Sequence, residues 1–225
     1  MGPKIARYIY VLLVVTITGY LAIFGRAYYS LPLEERFYND QHALLKASGF
    51  LGHGLGIVGT LMILFGVVLY MAAKKYGVFT RWVRLKYLLE FHIFLCTLGP
   101  ILIVFHSTFK FGGLVSIAFW SMAIVVLSGV VGRFLYIRLP RDSQGRELSF
   151  DDATRELKRL EAIVSASVEE RKLTNTVRIQ LRSLDRNQRY FKYWHIAHRP
   201  FALIMLVIVI VHIGATLLFG FQWTS

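Results

Sequence analysis

The sequence predicts an all-α integral membrane protein with five transmembrane helices. Its 225 residues are 56% apolar and only 17% charged, which is too hydrophobic for an ordinary water-soluble domain. Five stretches without a charged residue are each long enough to cross a hydrocarbon core of roughly 30 Å as a helix. They lack the alternation of barrel strands, so helices are the expected spanning structure. The stretches are 8–25, 47–73, 91–109, 111–132 and 200–225.

The placement of charge predicts the orientation of the chain. The net charge of +13 comes from lysines and arginines at the ends of the apolar stretches, which is typical of membrane flanks and argues against a nucleic-acid partner. The loop between spans four and five carries twelve basic residues, whereas the side that holds the loop after span one carries four in all. The positive-inside rule then predicts a multi-pass protein of a bacterial inner membrane, with a cytoplasmic N-terminus and an external C-terminus. The first span lacks a cleavage site and is expected to be an uncleaved anchor.

The composition divides the chain into three segments. We expect spans one to four in 1–138, a cytoplasmic helical hairpin in 139–193 and span five in 194–225. A capping box at Ser149 and Asp152 and two apolar stripes at helical spacing predict the hairpin. It is interpreted either as a self-packed connector or as a docking face for a partner subunit. The stripes are Ala153, Leu157, Leu160, Val164 and Val168, then Leu173, Val177, Leu181 and Leu184.

Four of the seven histidines form two pairs with the same separation. Fourteen residues separate His92 from His106, and His198 from His212, whereas seven scattered histidines would give about 0.2 such pairs. On a helix this spacing puts two rings about 21 Å apart along the axis and within about 40° of one face. Spans three and five run in the same direction in the predicted topology. We therefore expect His92 to face His198 near the cytoplasmic surface, and His106 to face His212 near the outer surface.

Facing neutral imidazoles in an apolar bundle suit the iron of b-type haem as axial ligands. Such a haem needs no cysteine, and the lone Cys96 excludes Cys-ligated iron–sulfur clusters, a CxxCH attachment and intrachain disulfides. Ionisable groups inside a membrane are costly, so four in register need a reason. The alternative is that they are hydrogen-bonded interior histidines. A bare zinc or copper site is disfavoured, because levels about 21 Å apart cannot converge on one ion.

The histidine pattern resembles the transmembrane domain of the ferric reductase and NADPH oxidase superfamily. It is also similar to the cytochrome b subunit of bc1-type complexes. The resemblance rests on His92, His106, His198 and His212 and covers roughly 87–219. It implies two stacked haems b that carry electrons across the bilayer. Because only 220–225 follow span five, we expect no sixth helix and no flavin or NADPH domain, and electrons are expected to enter and leave through other molecules.

Two prolines affect the predicted geometry. Pro100 interrupts span three between its histidines and is expected to kink it. Pro200 fits either in the first turn of its helix or at a bend, and the first alternative makes His195 a rival ligand to His198. We prefer His198, because His195 is 17 residues from His212 and their rings would lie about 100° apart around the helix.

Other residues have weaker assignments. A GxGxxG string in span two lies in an apolar helix without a preceding strand, so it predicts close approach of a neighbouring helix or a porphyrin rather than a dinucleotide site. Glu90 is expected to form a salt bridge with Arg84 or Lys86, with proton transfer from a quinol as the alternative. His53 stays open between a third ligand, a quinone hydrogen-bond partner and a core residue. Candidate partners of the haem propionates are Arg84, Arg133 and Arg199 inside, and Arg26 and Lys110 outside, although snorkelling explains each equally well.

These observations favour a dihaem b-type cytochrome that anchors a larger respiratory oxidoreductase. It is expected to exchange electrons with a quinone or with a partner subunit, either a multihaem cytochrome c or an iron–sulfur protein. The first alternative is a stand-alone transmembrane enzyme like the ferric reductases. The second is a haem-free assembly or scaffold protein whose histidines are structural.

Overall fold

A computed structural model describes residues 3–79, 82–110, 112, 115–137, 155 and 168–219 of the chain. These residues form helices and turns, and no strand occurs among them. A short 3-10 helix, Arg36–Tyr38, lies between the second and third α-helices. The α-helices are α1 (Pro3–Phe24), α2 (Arg26–Tyr29), α3 (His42–Leu45), α4 (Phe50–Tyr76), α5 (Leu85–His106), α6 (Val115–Ile137) and α7 (Val168–Phe219).

Five segments of these helices are long and apolar enough to span a membrane, which confirms the predicted fold class. The protein is therefore a multi-pass membrane protein with an all-α fold. Large apolar side chains such as Leu12 of α1 and Leu61 of α4 are exposed, as expected of helix faces that contact lipid. The five segments are Ile5–Phe24, His42–Tyr76, Leu85–His106, Ser116–Phe134 and Lys192–Leu218.

The described chain divides into two compact units. One comprises Met1–Val126 with Ile208–Ser225, and the other comprises Leu127–Val207. The expected boundary between 193 and 194 does not coincide with a helix end, because α7 runs without interruption from Val168 to Phe219. The backbone therefore stays helical across the change from polar to apolar sequence near 193. Most of the predicted first arm of the hairpin, 139–154 and 156–167, lies outside the described residues.

Helices α4 and α5 pack antiparallel with their backbones in close approach at two glycines. A Cβ atom on Gly59 would lie 2.7 Å from the carbonyl oxygen of Gly99, and a Cβ on Gly99 would lie equally close to the oxygen of Gly59. Side chains are excluded at this crossing, as the glycine-rich sequence of span two predicts. Pro100 lies inside α5 directly after this contact.

Helix α1 packs against α5 through an apolar cluster and one ion pair. Leu21 of α1 is buried with Leu98, Leu102 and Phe105 of α5. At the other end of α5, Arg7 donates a hydrogen bond to the buried carboxylate of Glu90 over 2.7 Å. The prediction that Glu90 pairs with Arg84 or Lys86 was wrong.

Arg84 is exposed, and Lys86 lies 5.3 Å from the ring of its neighbour Tyr87. Glu90 is only 7% exposed, on the face of α5 where α1 packs. Because Glu90 is buried against α1, it pairs with a cation of α1 rather than with cations nearby in sequence.

A cap between α1 and α4, residues 25–49, is fixed to the end of α5 by Arg36. This guanidinium is 7% exposed and donates hydrogen bonds to three carbonyl oxygens. Two of the acceptors, Leu31 and Tyr29, lie within the cap at 3.0 Å each. The third is Thr108, just after α5, at 2.6 Å. The guanidinium of arginine distributes its N–H donors over three nitrogens and can serve three separated acceptors at once. The donors of a lysine all lie on one nitrogen and do not reproduce this arrangement.

Two tyrosines complete the cap. The ring of Tyr28 lies beneath the Arg36 guanidinium at 5.4 Å, and its hydroxyl forms a 3.2 Å hydrogen bond with Nδ1 of His42. The ring of Tyr29 contacts Phe105 and Phe109 edge to face. Burial raises the pKa of Tyr28, and it raises the pKa of Tyr29 to about 12, so both hydroxyls stay protonated over the physiological range.

We expect Gly59→Ala to destabilise the protein, because its Cβ meets the backbone of Gly99, which cannot move aside as a flexible side chain would. Overpacking of this kind typically costs about 1–3 kcal/mol. The measurement is thermal unfolding in detergent, followed by circular dichroism. Gly54→Ala is the matched control, since nothing lies within 4 Å of its added Cβ. Equal unfolding temperatures for both variants would contradict the close packing of α4 and α5.

We expect Arg36→Lys to loosen the cap, because a lysine leaves buried carbonyl oxygens without donors. The loss of hydrogen bonds from a charged group predicts a decrease of about 2–3 kcal/mol in the free energy of unfolding. Limited proteolysis should also cleave 25–49 faster. The exposed Arg26 on the same cap provides the control, and Arg26→Lys is expected to behave as the unmodified protein.

Candidate functional site

His92 lies on the face of α5 that packs against α4. Its Nδ1 atom is 3.0 Å from the carbonyl oxygen of Gly66. The ring of Tyr70, one turn further along α4, stacks on the imidazole with centroids 5.0 Å apart and planes 27° from parallel. The Sγ atom of Cys96 lies 3.6 Å from the same Nδ1. These contacts define the His92 level of the bundle.

His106 occupies the equivalent place at the other end of α5. Its Nδ1 atom is 2.8 Å from the carbonyl oxygen of Gly52. The residue one turn further along α4 is here Gly56, and a Cβ on it would lie 2.8 Å from the imidazole ring. The glycine thus makes room for His106, whereas Tyr70 covers His92. These contacts define the His106 level.

One helix register produces both hydrogen bonds. His92 and His106 are fourteen residues apart, and so are their acceptors Gly66 and Gly52 on the antiparallel α4. The Gly59–Gly99 contact lies midway between them in both helices. A helical carbonyl keeps a second lone pair after its own backbone hydrogen bond, and a glycine has no side chain to cover it. The sequence interpretation missed these acceptors, although the repeated spacing of Gly52 and Gly66 was a signal for them.

The carbonyl partners determine which ring nitrogen carries the proton. A carbonyl oxygen only accepts hydrogen bonds, so Nδ1 of each histidine donates and Nε2 keeps its lone pair. Histidines that bind metals through Nε2 almost always donate Nδ1–H to a carbonyl, a carboxylate or water in this way. His92 and His106 are thus both oriented as metal ligands would be.

His198 has the same nitrogen engaged, by a different partner. In the unit Leu127–Val207, its Nδ1 atom lies 2.6 Å from the hydroxyl of Ser128 on α6. Trp194, one turn earlier on α7, stacks on its ring with centroids 5.0 Å apart. Pro200 lies deep inside α7 rather than in a first turn, so His198 is not at a helix start. The side chain of His195, the expected rival, lies outside the described part of the structure.

His53 lies beside His106 at the His106 level. The rings of His53 and His106 are 6.4 Å apart at an angle of 61°. Both His53 and His212 also interact electrostatically with His106. The side chains of His53 and His212 are exposed, and the carbonyl of His212 accepts a 2.8 Å hydrogen bond from Thr216. The structure therefore brings His53 and His106 together, and His53 is exposed rather than a buried core residue.

The pairing of His92 with His198 remains a prediction from sequence spacing. Within the described ranges, no group of three or more histidine, cysteine, aspartate or glutamate side chains is arranged to hold a metal ion. That finding concerns bare ions, because a haem iron takes only two axial ligands from the protein.

The expected partners of the propionates are distributed over several elements of the structure. Arg84 is exposed at the N-cap of α5, and Arg199 is exposed next to His198 on α7. Arg133 is half-buried on α6, one turn after Gly129. Arg26 is exposed within the cap, and Lys110 is exposed shortly after the end of α5. The positions of these five residues do not by themselves identify any of them as a propionate partner.

No protein-family model, curated protein or solved structure matches this chain. The residues themselves establish an all-helical, multi-pass membrane protein with two histidines of one span held by the backbone of its neighbour. A third histidine is held by a hydroxyl of α6.

Proposed function

We propose that this protein is a dihaem b-type cytochrome that carries electrons across a membrane. The observation that supports it best is the pair of Nδ1 hydrogen bonds from His92 and His106 to Gly66 and Gly52. Two ligands on one span, oriented by one register and separated by about 21 Å, suit two haems at different depths. Haem supplies a centre that gains and loses one electron without a covalent link to the protein.

The residues of this chain fit such a group. Nδ1 is the engaged nitrogen in the three side chains of His92, His106 and His198, so Nε2 is the nitrogen directed elsewhere. We propose the pairs His92 with His198 and His106 with His212, on the basis of their equal spacing in sequence. The apolar helices exclude water, and neutral imidazoles spare the membrane interior an uncompensated charge. Arg84, Arg133 and Arg199 are the proposed partners of the propionates near the cytoplasmic surface, on the basis of their positions in the sequence.

The proposed setting is a larger oxidoreductase of a bacterial inner membrane. The distribution of basic residues supports a cytoplasmic N-terminus and an external C-terminus. In this arrangement the protein is the membrane anchor and exchanges electrons with a quinone on one face, or with a multihaem cytochrome c or iron–sulfur subunit. A bound cytochrome or iron–sulfur protein that co-purifies with the chain would favour the subunit over a stand-alone reductase.

A haem assay on the purified chain tests the proposal directly. We expect the pyridine haemochrome method to give two non-covalent haems b per chain. His92→Ala and His212→Ala should each lose one haem, because each removes a ligand from a different level. His42→Ala is the control and should keep both, since His42 hydrogen-bonds to Tyr28 in the cap. A chain without haem would leave the scaffold alternative.

We expect Gly56→Val to release the haem at the His106 level while keeping the other. The added side chain would overlap the imidazole of His106, because even a Cβ lies 2.8 Å from its ring. The measurement is again the haem content, combined with a redox titration that resolves the two centres. Gly54→Val on the same helix is the control, because a Cβ there meets nothing within 4 Å. Two haems in Gly56→Val would mean that the position of the His106 ring is not what holds the cofactor.

A further inference from the structure

The turn of α6 that begins at Ser128 forms a socket for one turn of α7. Four residues within the unit Leu127–Val207 make it: Ser128 and Gly132 on α6, and Trp194 and His198 on α7. We propose that Ser128 and Trp194 are positioning residues that orient His198 as an iron ligand and tune the potential of the haem it binds. This inference rests on the proposed dihaem function.

Ser128 contacts both α7 residues through two different atoms. Its hydroxyl lies 2.6 Å from Nδ1 of His198. Its backbone carbonyl accepts a 2.6 Å hydrogen bond from the indole Nε1–H of Trp194. One residue therefore fixes the indole and the imidazole at the same time. Because Trp194 and His198 are one helical turn apart, these two bonds also fix the rotation of α7 about its axis at this point.

Gly132 makes the socket deep enough for the indole. A Cβ at this position would overlap the indole of Trp194, so any larger residue would force the ring to shift. The indole in turn stacks on His198, with planes 30° from parallel. The imidazole is thus held at its edge by a hydroxyl and at its face by an aromatic ring. Such a double constraint is more than a buried histidine needs to satisfy its hydrogen bonds.

The hydroxyl partner makes His198 different from His92 and His106. A backbone carbonyl only accepts a hydrogen bond, whereas a serine hydroxyl either accepts from Nδ1–H or donates to a bare Nδ1. Only the accepting arrangement leaves the Nε2 lone pair for iron. When it accepts, the hydroxyl increases the electron donation of the imidazole, which stabilises the oxidised iron. Removal of the hydroxyl should therefore raise the midpoint potential of one haem and leave the other unchanged.

The test compares variants of the full-length chain, purified in detergent with its haems. We expect Ser128→Ala to raise the midpoint potential of one of two centres in a redox titration. It should also weaken haem retention at that centre by about tenfold or more, the typical loss when an outer-shell partner of a metal ligand is removed. Ser128→Thr keeps the hydroxyl and should restore the original potential. Ser121→Ala removes a buried hydroxyl from the same helix and is the control for general effects on α6.

Trp194→Phe provides an independent arm in case Ser128→Ala does not fold. The phenyl ring keeps an aromatic face beside His198 but lacks the Nε1–H that bonds to Ser128. We expect this variant to change the midpoint potential of the same centre. The low-spin electron paramagnetic resonance signal of that haem should shift as well.

The outcomes separate the inference from the function. Two haems with unchanged potentials in Ser128→Ala, or in Trp194→Phe where the first variant does not fold, would overturn the inference and leave the dihaem proposal intact. A haem-free unmodified chain would overturn both. A shift of both centres together would also overturn the inference, since the hydrogen bond of the Ser128 hydroxyl is to His198 and the proposal assigns its effect to the haem that His198 binds.

Discussion

The close approach of α4 and α5 is the constraint on which the candidate site depends. The helices meet backbone to backbone at Gly59 and Gly99, and this contact fixes how far one helix is shifted along the other. From that shift follow the carbonyl partners of His92 and His106, each seven residues away from the crossing. A larger residue at the crossing would separate the helices and lengthen both hydrogen bonds. The packing of the bundle and the chemistry of its histidines therefore have the same physical origin.

Much of the fold was predictable from hydrophobicity alone, because only long apolar helices satisfy their backbone hydrogen bonds inside lipid. The five spans and the role of the glycines of α4 in close packing belong to this part. The partners of individual side chains did not follow, because they depend on helix rotation. Glu90 bonds to Arg7 of another span rather than to the cations beside it in sequence. In the sequence Arg36 is only one of the four basic residues counted on the side of the first loop, whereas in the structure it links the cap to the end of α5.

The candidate ligands were identifiable from their spacing, but their surroundings were not. Equal separations in two spans indicate equal heights, which is a property of helix geometry. The stacking of Tyr70 on His92 and of Trp194 on His198 depends on which face each helix presents, and periodicity does not determine it. The continuity of α7 was likewise not predictable, because the change in polarity near 193 resembles a domain boundary.

The two kinds of hydrogen-bond acceptor differ in how they respond to mutation. Every amino acid carries a main-chain carbonyl, so no single codon change deletes the partners of His92 and His106. The partner of His198 is a side chain, and one nucleotide substitution suffices to convert a serine into a residue without a hydroxyl. A substitution can therefore remove the hydrogen-bond partner of the α7 histidine directly, whereas it affects the partners of the α5 pair only by shifting the helices.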